Sequence, residues 1–332
     1  MKVLHINDVA RIGTLLVRQA HQEGLDWQLY DIARTDPNWS ARTRLLRKAA
    51  RGLVWEAGLA RRAATADLLN VHGGNVPRHT SWVPKPYVLH LHGSDVRTVR
   101  LQPEQGKIID RAIARAKQVY YTTPDLAEHA VPLRPDAQLQ PIVVDVDAVP
   151  FSEDVPQVTK VIFPSRWGPE KGGELQIEVA VALRRALGAD VRLEGLDWGS
   201  NAARAAREAQ VTLLPKMGYA QYLQWLSTAT VSIGQNTGIM GVSELEAIAT
   251  GVPLVMPLNP RWYDGSHPTM VDIPVQVGIA DPDTWVDAIV ETTRHVLANP
   301  QRVDYRQWLD QMHGPRVAVQ RLQSSYRKLE GA

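Results

Sequence analysis

The sequence predicts an α/β protein of two doubly wound domains, each a parallel sheet wrapped by helices, facing each other across a cleft. Three observations carry that prediction. Short apolar runs rich in Val, Ile, Leu and Tyr alternate with helix-length segments along the whole chain. At 332 residues the chain exceeds the usual single-domain size, so two domains of roughly 100–200 residues each are expected. A polar stretch with two prolines, "VDAVPFSEDVPQVTK" (146–160), separates the halves, and a new strand signal follows it directly.

In chain order, the strand candidates of the first half are "KVLHIN", "WQLYDI", "DLLNVH", "YVLHLH", "QVYYTT" and "QPIVVD". Those of the second half are "KVIFPS", "DVRLEG", "VTLLPK", "TVSIGQ", "PLVMPL" and "VQVGIA". Helical patterns separate most of them, as in "GELQIEVAVALRRALG" and "GYAQYLQWLSTA". Residues 1–150 then form the first domain and 151–303 the second. Residues 304–332 are helical in composition, have no strand to serve, and are expected to pack across the junction.

Composition narrows the chemistry. The apolar (44%) and charged (22%) fractions are those of an ordinary globular protein. The absence of cysteine excludes disulfides, thiolate metal sites and cysteine nucleophiles. Asn7 and Asp8 interrupt the first apolar run, so the N-terminus does not read as a signal peptide. No apolar run reaches the roughly 18 residues of a membrane span. A cytoplasmic protein is expected, with peripheral contact at the inner membrane surface as its one route to a bilayer.

Open parallel sheets bind ligands beyond the carboxyl ends of their strands. After the first strand of the second half comes "SRWGPEKGGEL", a basic, glycine-rich loop entering a helix. Arg166 offers a planar fork to phosphate oxygens and Lys171 a point charge, a pairing suited to a diphosphate. Gly172 and Gly173 let backbone approach a ligand closely. No dinucleotide fingerprint or P-loop is present, which argues against NAD enzymes and ATPases of those classes.

Further on, "NTGIMGVSELEAIATGVPLV" (236–255) places two glutamates where a glycine-dotted loop becomes a helix. Ser243 and Glu246 read as a capping box, Gly251 as a left-handed C-cap, and Pro253 as the stop. The helix N-terminus after Gly241 favours an anion. Glu244 reads as a peripheral helix residue.

The "SRWGPEKG" loop and the "GVSELEAIATGVPLV" segment resemble the donor half of GT-B glycosyltransferases, and most closely the retaining family four of these enzymes. The resemblance implies two Rossmann-like domains and a nucleoside-diphosphate sugar as co-substrate, with no further cofactor and no metal. It also implies that Arg166 and Lys171 bind the donor diphosphate and that Glu246 binds the ribose hydroxyls. Gly238, Ile239, Met240, Gly241 and Val242 complete the donor loop, joined by Gly13 from the first half. The family carries another glutamate eight residues before the one matched by Glu246; here that position is Gly238, which implies an unusual donor or a differently built sugar pocket.

"YVLHLHGSDVR" resembles the family's segment in which a histidine at the strand end faces the sugar, here His92. Asp95, which also reads as a helix N-cap, Arg97 and the His72 of "VHGGN" fall on the same side. A retaining, metal-independent transfer by same-face attack needs no protein nucleophile. The cations and the helix N-terminus would stabilise the leaving diphosphate.

Between Arg42 and Arg62 only Glu56 offsets the positive charge. Arg44, Arg47, Lys48 and Arg51 make one basic helical face, and Leu46, Ala50, Leu53 and Ala57 mark an apolar one, with Trp55 nearby. Such a helix suits an anionic acceptor: a lipid or membrane surface, a glycan, or nucleic acid. A sugar-nucleotide epimerase, a nucleic-acid glycosyltransferase and a decayed nucleotide-sugar-binding protein are the competing readings.

Overall fold

The apolar runs form two all-parallel sheets, seen in a computed structural model that describes residues 1–32 and 40–330, with backbone only at 41, 42 and 330. The Arg42 side chain and residues 331–332 of the tail therefore lie outside the described residues. The chain divides into two compact units, Met1–Val143 with Pro315 onward, and Val144–Gly314. The α13 helix (Pro315–Glu330) thus belongs to the first unit, and α12 (Arg306–His313) to the second.

In the first unit the strands are β1 (Val3–Ile6), β2 (Trp27–Tyr30), β3 (Leu68–His72), β4 (Tyr87–Leu91), β5 (Gln118–Tyr121) and β6 (Gln138–Leu139), in the order β2-β1-β3-β4-β5-β6. The helices are α1 (Ile12–Gln22), α2 (Ala41–Thr65), α5 (Pro103–Arg115) and three single turns, α3 (Pro77–Thr80), α4 (Ser94–Arg97) and α6 (Ala127–Ala130). One sheet face is uniformly apolar: Leu4, Ile6, Leu69, Val71, Leu89 and Leu91 pack against Trp55 and Leu59 of α2 and Ile109 and Ile113 of α5. The other face carries Val3, Leu68 and Val88 under α1 and under Val319, Leu322 and Tyr326 of α13.

One strand expectation fails here. "QPIVVD" is not a strand; the sixth place is taken by Gln138–Leu139, just upstream. Pro141 has no N–H to give to a ladder. Ile142, Val143 and Val144 are buried without pairing in a sheet, and the Val144 N–H donates to the His313 carbonyl.

In the second unit the strands are β7 (Lys160–Phe163), β8 (Arg192–Leu196), β9 (Thr212–Leu214), β10 (Val231–Ile233) and β11 (Leu254–Val255), in the order β11-β10-β7-β8-β9. The helices α7 (Glu174–Leu187), α8 (Ala202–Ala209), α9 (Tyr219–Ser227), α10 (Val242–Ala249) and α11 (Trp285–Ala298) alternate with them. Ile177, Ala180 and Leu183 of α7 and Ile289 of α11 cover Val161, Phe163, Val231 and Ile233. "PLVMPL" splits: its second half, β12 (Pro257–Leu258), pairs with β13 (Gly278–Ile279) in a separate two-stranded sheet.

Candidate functional site

Each sheet reverses its strand order once, between β1 and β3 in the first unit and between β7 and β10 in the second. Crevices at such reversals are where open α/β sheets hold ligands. The Arg166–Gly173 loop leaves β7 and the Gln235–Gly241 loop leaves β10, so the sequence-predicted donor residues meet at the reversal of the second unit.

The cationic loop is pinned from below by Trp167, a residue the sequence reading passed over. Its ring is fully buried against Phe163, with centroids 4.9 Å apart. Its N–H donates to the Trp198 carbonyl (2.8 Å), and its own carbonyl accepts from Asn201 (3.1 Å). A Cβ on Gly195 would lie 2.9 Å from the Trp167 ring, and one on Gly199 only 1.9 Å from its carbonyl oxygen. Two glycines in "LEGLDWGS" therefore make room for the anchor. Arg166 pairs with Glu170 and sits 5.4 Å over the half-exposed ring of Trp198, which Lys216 approaches at 4.7 Å.

Lys171 is tied to the neighbouring loop. Its ammonium donates to Gln235 Oε1 (2.7 Å), and its carbonyl accepts from the Asn236 N–H (3.1 Å). Gly172 has φ +115°, and a Cβ there would lie 2.7 Å from Asn236 Cβ. Its glycine freedom thus serves the approach of one loop to the other rather than to a ligand. Asn236 is buried, and neither side-chain polar atom has a hydrogen-bond partner among the described residues.

The capping role expected of Glu246 falls to Glu244. Helix α10 starts at Val242, so Gly241 is its N-cap and Glu244, not Glu246, is the third residue. Glu244 is fully buried, not peripheral. Its carboxylate accepts from Gly241 N (2.9 Å), Gln235 N (3.2 Å), Ser165 Oγ (2.8 Å) and Ser243 Oγ (3.2 Å). One anion thus closes the helix N-terminus and joins it to both strand-end loops. Glu246, two residues on, accepts from the Tyr219 hydroxyl (2.7 Å) and leaves the cap to Glu244. Burial, then the two carboxylates, push the nearby Tyr222 hydroxyl well above the usual phenol range. Gly251 does take the left-handed conformation after the helix, at φ +79°.

Gly238, Ile239 and Met240 form the connection into α10. Ile239 and Met240 are buried, Ile239 O accepts from the Gln235 amide, and Met240 N donates to Tyr263 OH (2.9 Å). Gly238 has φ +72°, and a Cβ would lie 2.6 Å from the Trp285 ring and 2.8 Å from Asn259 Cβ. No side chain fits there without displacing Trp285.

In the first unit, Asn7 to Gly13 leads from β1 into α1. Asn7, Ala10 and Arg11 all have positive φ (73°, 49° and 64°), backbone strain of the kind that gathers at functional loops. Asp8 holds the turn by accepting from Thr14 Oγ1 (2.5 Å) and Thr14 N (3.2 Å). Gly13 is buried, and a Cβ there would lie 2.9 Å from Leu29 Cδ1 and 3.2 Å from Asp8 Oδ1.

Asp95 is the second residue of α4, whose N-cap is Gly93. Its carboxylate accepts from the N–H groups of Gly74 (3.0 Å), His92 (3.1 Å), Gly93 (2.8 Å) and Val96 (3.1 Å), so it fastens the loops after β3 and β4 together. Arg97 is likewise engaged, donating to both Asp125 oxygens (2.6 and 2.7 Å) and to Thr123 Oγ1 (2.8 Å).

His72 and His92 belong to a larger cluster. His5 on β1, His72 on β3, His90 on β4 and His92 just beyond form a row on the α13-covered side of the sheet. His5 Nδ1 and His72 Nε2 share a 3.1 Å hydrogen bond, and His72 Nδ1 and His92 Nε2 one of 3.0 Å. Burial lowers the His5 pKa to about 3 and the His92 pKa to about 4, the latter against the pull of Asp95 and Asp8. His5 and His90 were missed because a histidine inside an apolar run reads as core. The available signal was the period-two recurrence in "LHI", "NVH" and "HLH", three runs that become neighbouring strands.

The predicted basic face does form on α2, with Arg44, Arg47 and Lys48 exposed and Arg51 partly buried. The helix does not pack by its leucine stripe. Leu46, Ala50, Leu53 and Ala57 all face solvent, with Leu46 and Leu53 exposed by 74% and 73%, while Trp55, Leu59 and Ala63 face the core. Tyr30 explains the choice of face: its ring stacks on Trp55 at 5.6 Å, and its hydroxyl donates to the Trp55 carbonyl (3.0 Å).

No protein-family model and no curated protein sequence matches the chain. Solved structures do. HepE of Anabaena in complex with UDP-glucose superposes with a TM-score of 0.68 at 12% identity, covering 99% of this chain and 100% of that one. A Listeria monocytogenes protein assigned as a UDP-N-acetylglucosamine 2-epimerase gives 0.60 at 12% identity over 100% and 97%. The O-GlcNAc transferase of Thermobaculum terrenum gives 0.58 at 16% identity over 99% and 67%. At such identities the likeness establishes the fold alone: two Rossmann-like α/β units, the GT-B fold. No described helix is long and apolar enough to cross a membrane.

Proposed function

We propose that this chain is a nucleotide-sugar-dependent glycosyltransferase whose donor is held by the second unit. The observation that carries the reading is the Arg166–Lys171 loop at the carboxyl end of β7, at the strand-order reversal of a GT-B fold. Breaking the sugar–phosphate bond leaves negative charge on the diphosphate. Arg166 and Lys171 neutralise that charge without a metal ion at the diphosphate, in the manner of a preorganised oxyanion site. Glu246, on the next turn of α10, takes the ribose hydroxyls. The family resemblance assigns His92, the partly buried end of the histidine row, to the sugar side of the reaction, with transfer by retention. The donors named for the solved neighbours, UDP-glucose among them, support a uridine diphosphate sugar as the first to test.

The acceptor is anionic or membrane-borne. Support comes from α2, which presents a leucine stripe beside a cationic one, the pattern of a helix lying in a bilayer interface.

The test is a thermal-shift panel of nucleoside diphosphate sugars, because stabilisation scales with ligand concentration over Kd. A response to uridine diphosphate sugars, followed by release of the nucleoside diphosphate when acceptor is added, is the expected result. No response to any nucleotide sugar overturns it. The epimerase reading has its own support in the Listeria neighbour. NMR of the donor alone separates the two, since an epimerase changes it without acceptor.

A further inference from the structure

The histidine row of the first unit carries an inference drawn from its own geometry; of its members, the proposed function uses only His92. Candidate ligand atoms of His72, His90 and His92 all lie within 4.8 Å of one another. His90 packs on Tyr120 and on His72, tilted to each, with ring centroids 4.8 Å away in both cases. Yet neither His90 nitrogen, nor His5 Nε2, has a hydrogen-bond partner among the described residues, and both residues are buried. A polar group buried without a partner is costly to the folded state. With both nitrogens unengaged, His90 has one to offer beside the ligand atoms of His72 and His92, around a ligand that the three share.

We propose that His72, His90 and His92 form a three-histidine site for a divalent transition-metal ion of the Zn²⁺ class. The donor set is imidazole only, which suits zinc, copper, iron and nickel rather than magnesium or calcium. Zinc–nitrogen bonds of about 2.0–2.1 Å around a tetrahedral ion put two ligand nitrogens about 3.3 Å apart. His72 Nδ1 and His92 Nε2, 3.0 Å apart, need only a slight opening to admit the ion between them. Ligation through Nδ1 leaves His72 Nε2 to donate to His5 Nδ1, the outer hydrogen bond that orients a metal-bound histidine. Three protein ligands leave a fourth position for water. Ligation through Nε2 keeps His92 Nδ1 outside the coordination sphere.

The experiment is calorimetric titration of ZnCl₂ into untagged, full-length, chelator-stripped protein, with X-ray absorption on the zinc adduct. One equivalent bound at micromolar or tighter affinity, with three imidazole ligands, is expected. His90→Phe keeps the aromatic contact with Tyr120 and removes one ligand, so it weakens binding by at least ~10-fold while circular dichroism stays unchanged. The proposal is overturned if the wild type takes up no stoichiometric zinc, in which case buried water serves the row. Undiminished affinity in His90→Phe, or fewer than three imidazoles in the absorption spectrum, overturns it too. Should that variant not fold, the wild-type spectrum alone decides.

Discussion

Tyr326, in the last helix, accepts a 2.6 Å hydrogen bond from the Asn70 side-chain amide on β3, joining residues 256 positions apart in the chain. Both groups are fully buried, and Tyr326 also packs on Trp27, 5.5 Å between centroids. This contact fastens α13 to the first sheet. Tyr326→Phe keeps the packing but leaves the Asn70 amide unpaired, so the first unit loses about 1–3 kcal/mol in denaturant titration. A variant as stable as wild type would show that the bond contributes nothing.

The same hydroxyl gives the protein an alkaline limit. Burial raises the Tyr326 pKa well above 10, helped by the neighbouring Tyr120 and opposed by the Asn70 bond. Below pH 10 the phenol is protonated in folded and unfolded chains alike, and stability is unaffected. Above pH 10 the unfolded chain ionises first, so stability falls by about 1.4 kcal/mol per pH unit until the folded value is reached. Melting temperatures from pH 9 upward should show this decline, and Tyr326→Phe should lessen it, leaving the share of the other buried phenols, Tyr120 and Tyr222.

Arg166→Ala is expected to lower kcat/KM for the identified donor by ~10²–10³-fold, as removal of one preorganised oxyanion donor does. Melting temperature should barely move, because Arg166 is not what anchors its loop; Trp167 is. Near-normal turnover would remove the diphosphate clamp from the mechanism.

The glutamates of α10 should separate stability from binding. Glu244→Ala strands the N–H groups of Gly241 and Gln235 and the Ser165 hydroxyl, a loss of about 3 kcal/mol or more. Glu246→Ala, which gives up the Tyr219 hydroxyl bond, should cost less stability than Glu244→Ala and should raise the donor KM. Equal destabilisation by both would contradict the division of labour.

Replacing Gly238 by the glutamate of the resembled family should not restore a sugar contact. The left-handed backbone and the Trp285 ring 2.6 Å from the new Cβ make Gly238→Glu destabilising by several kcal/mol. Wild-type melting behaviour in that variant would show that Trp285 yields easily.

The parallel sheets and the β7 loop were legible in the sequence because strand and helix periods alternate cleanly and glycine marks the turns. The capping box of α10 was misplaced by two residues because glycine offers no side chain to betray an N-cap; Glu244 three positions later was the readable half. Trp167 is not legible as an anchor because its partners lie far along the chain, Gly195 within β8 and Gly199 just past its end. The direction faced by α2 was not legible either. Leucines at helical spacing predict a buried stripe, and only the Tyr30–Trp55 stack shows that another stripe won.

The bond from Asn236 N–H to the Lys171 carbonyl, with Gly172 pressed against Asn236, makes the two strand-exit loops a single rigid body. Their conformational entropy is surrendered when the chain folds rather than when a ligand arrives. Inorganic diphosphate, stripped of nucleoside and sugar, should therefore compete measurably with the donor. Its binding should also carry little of the ordering penalty that a loop closing over its ligand would impose.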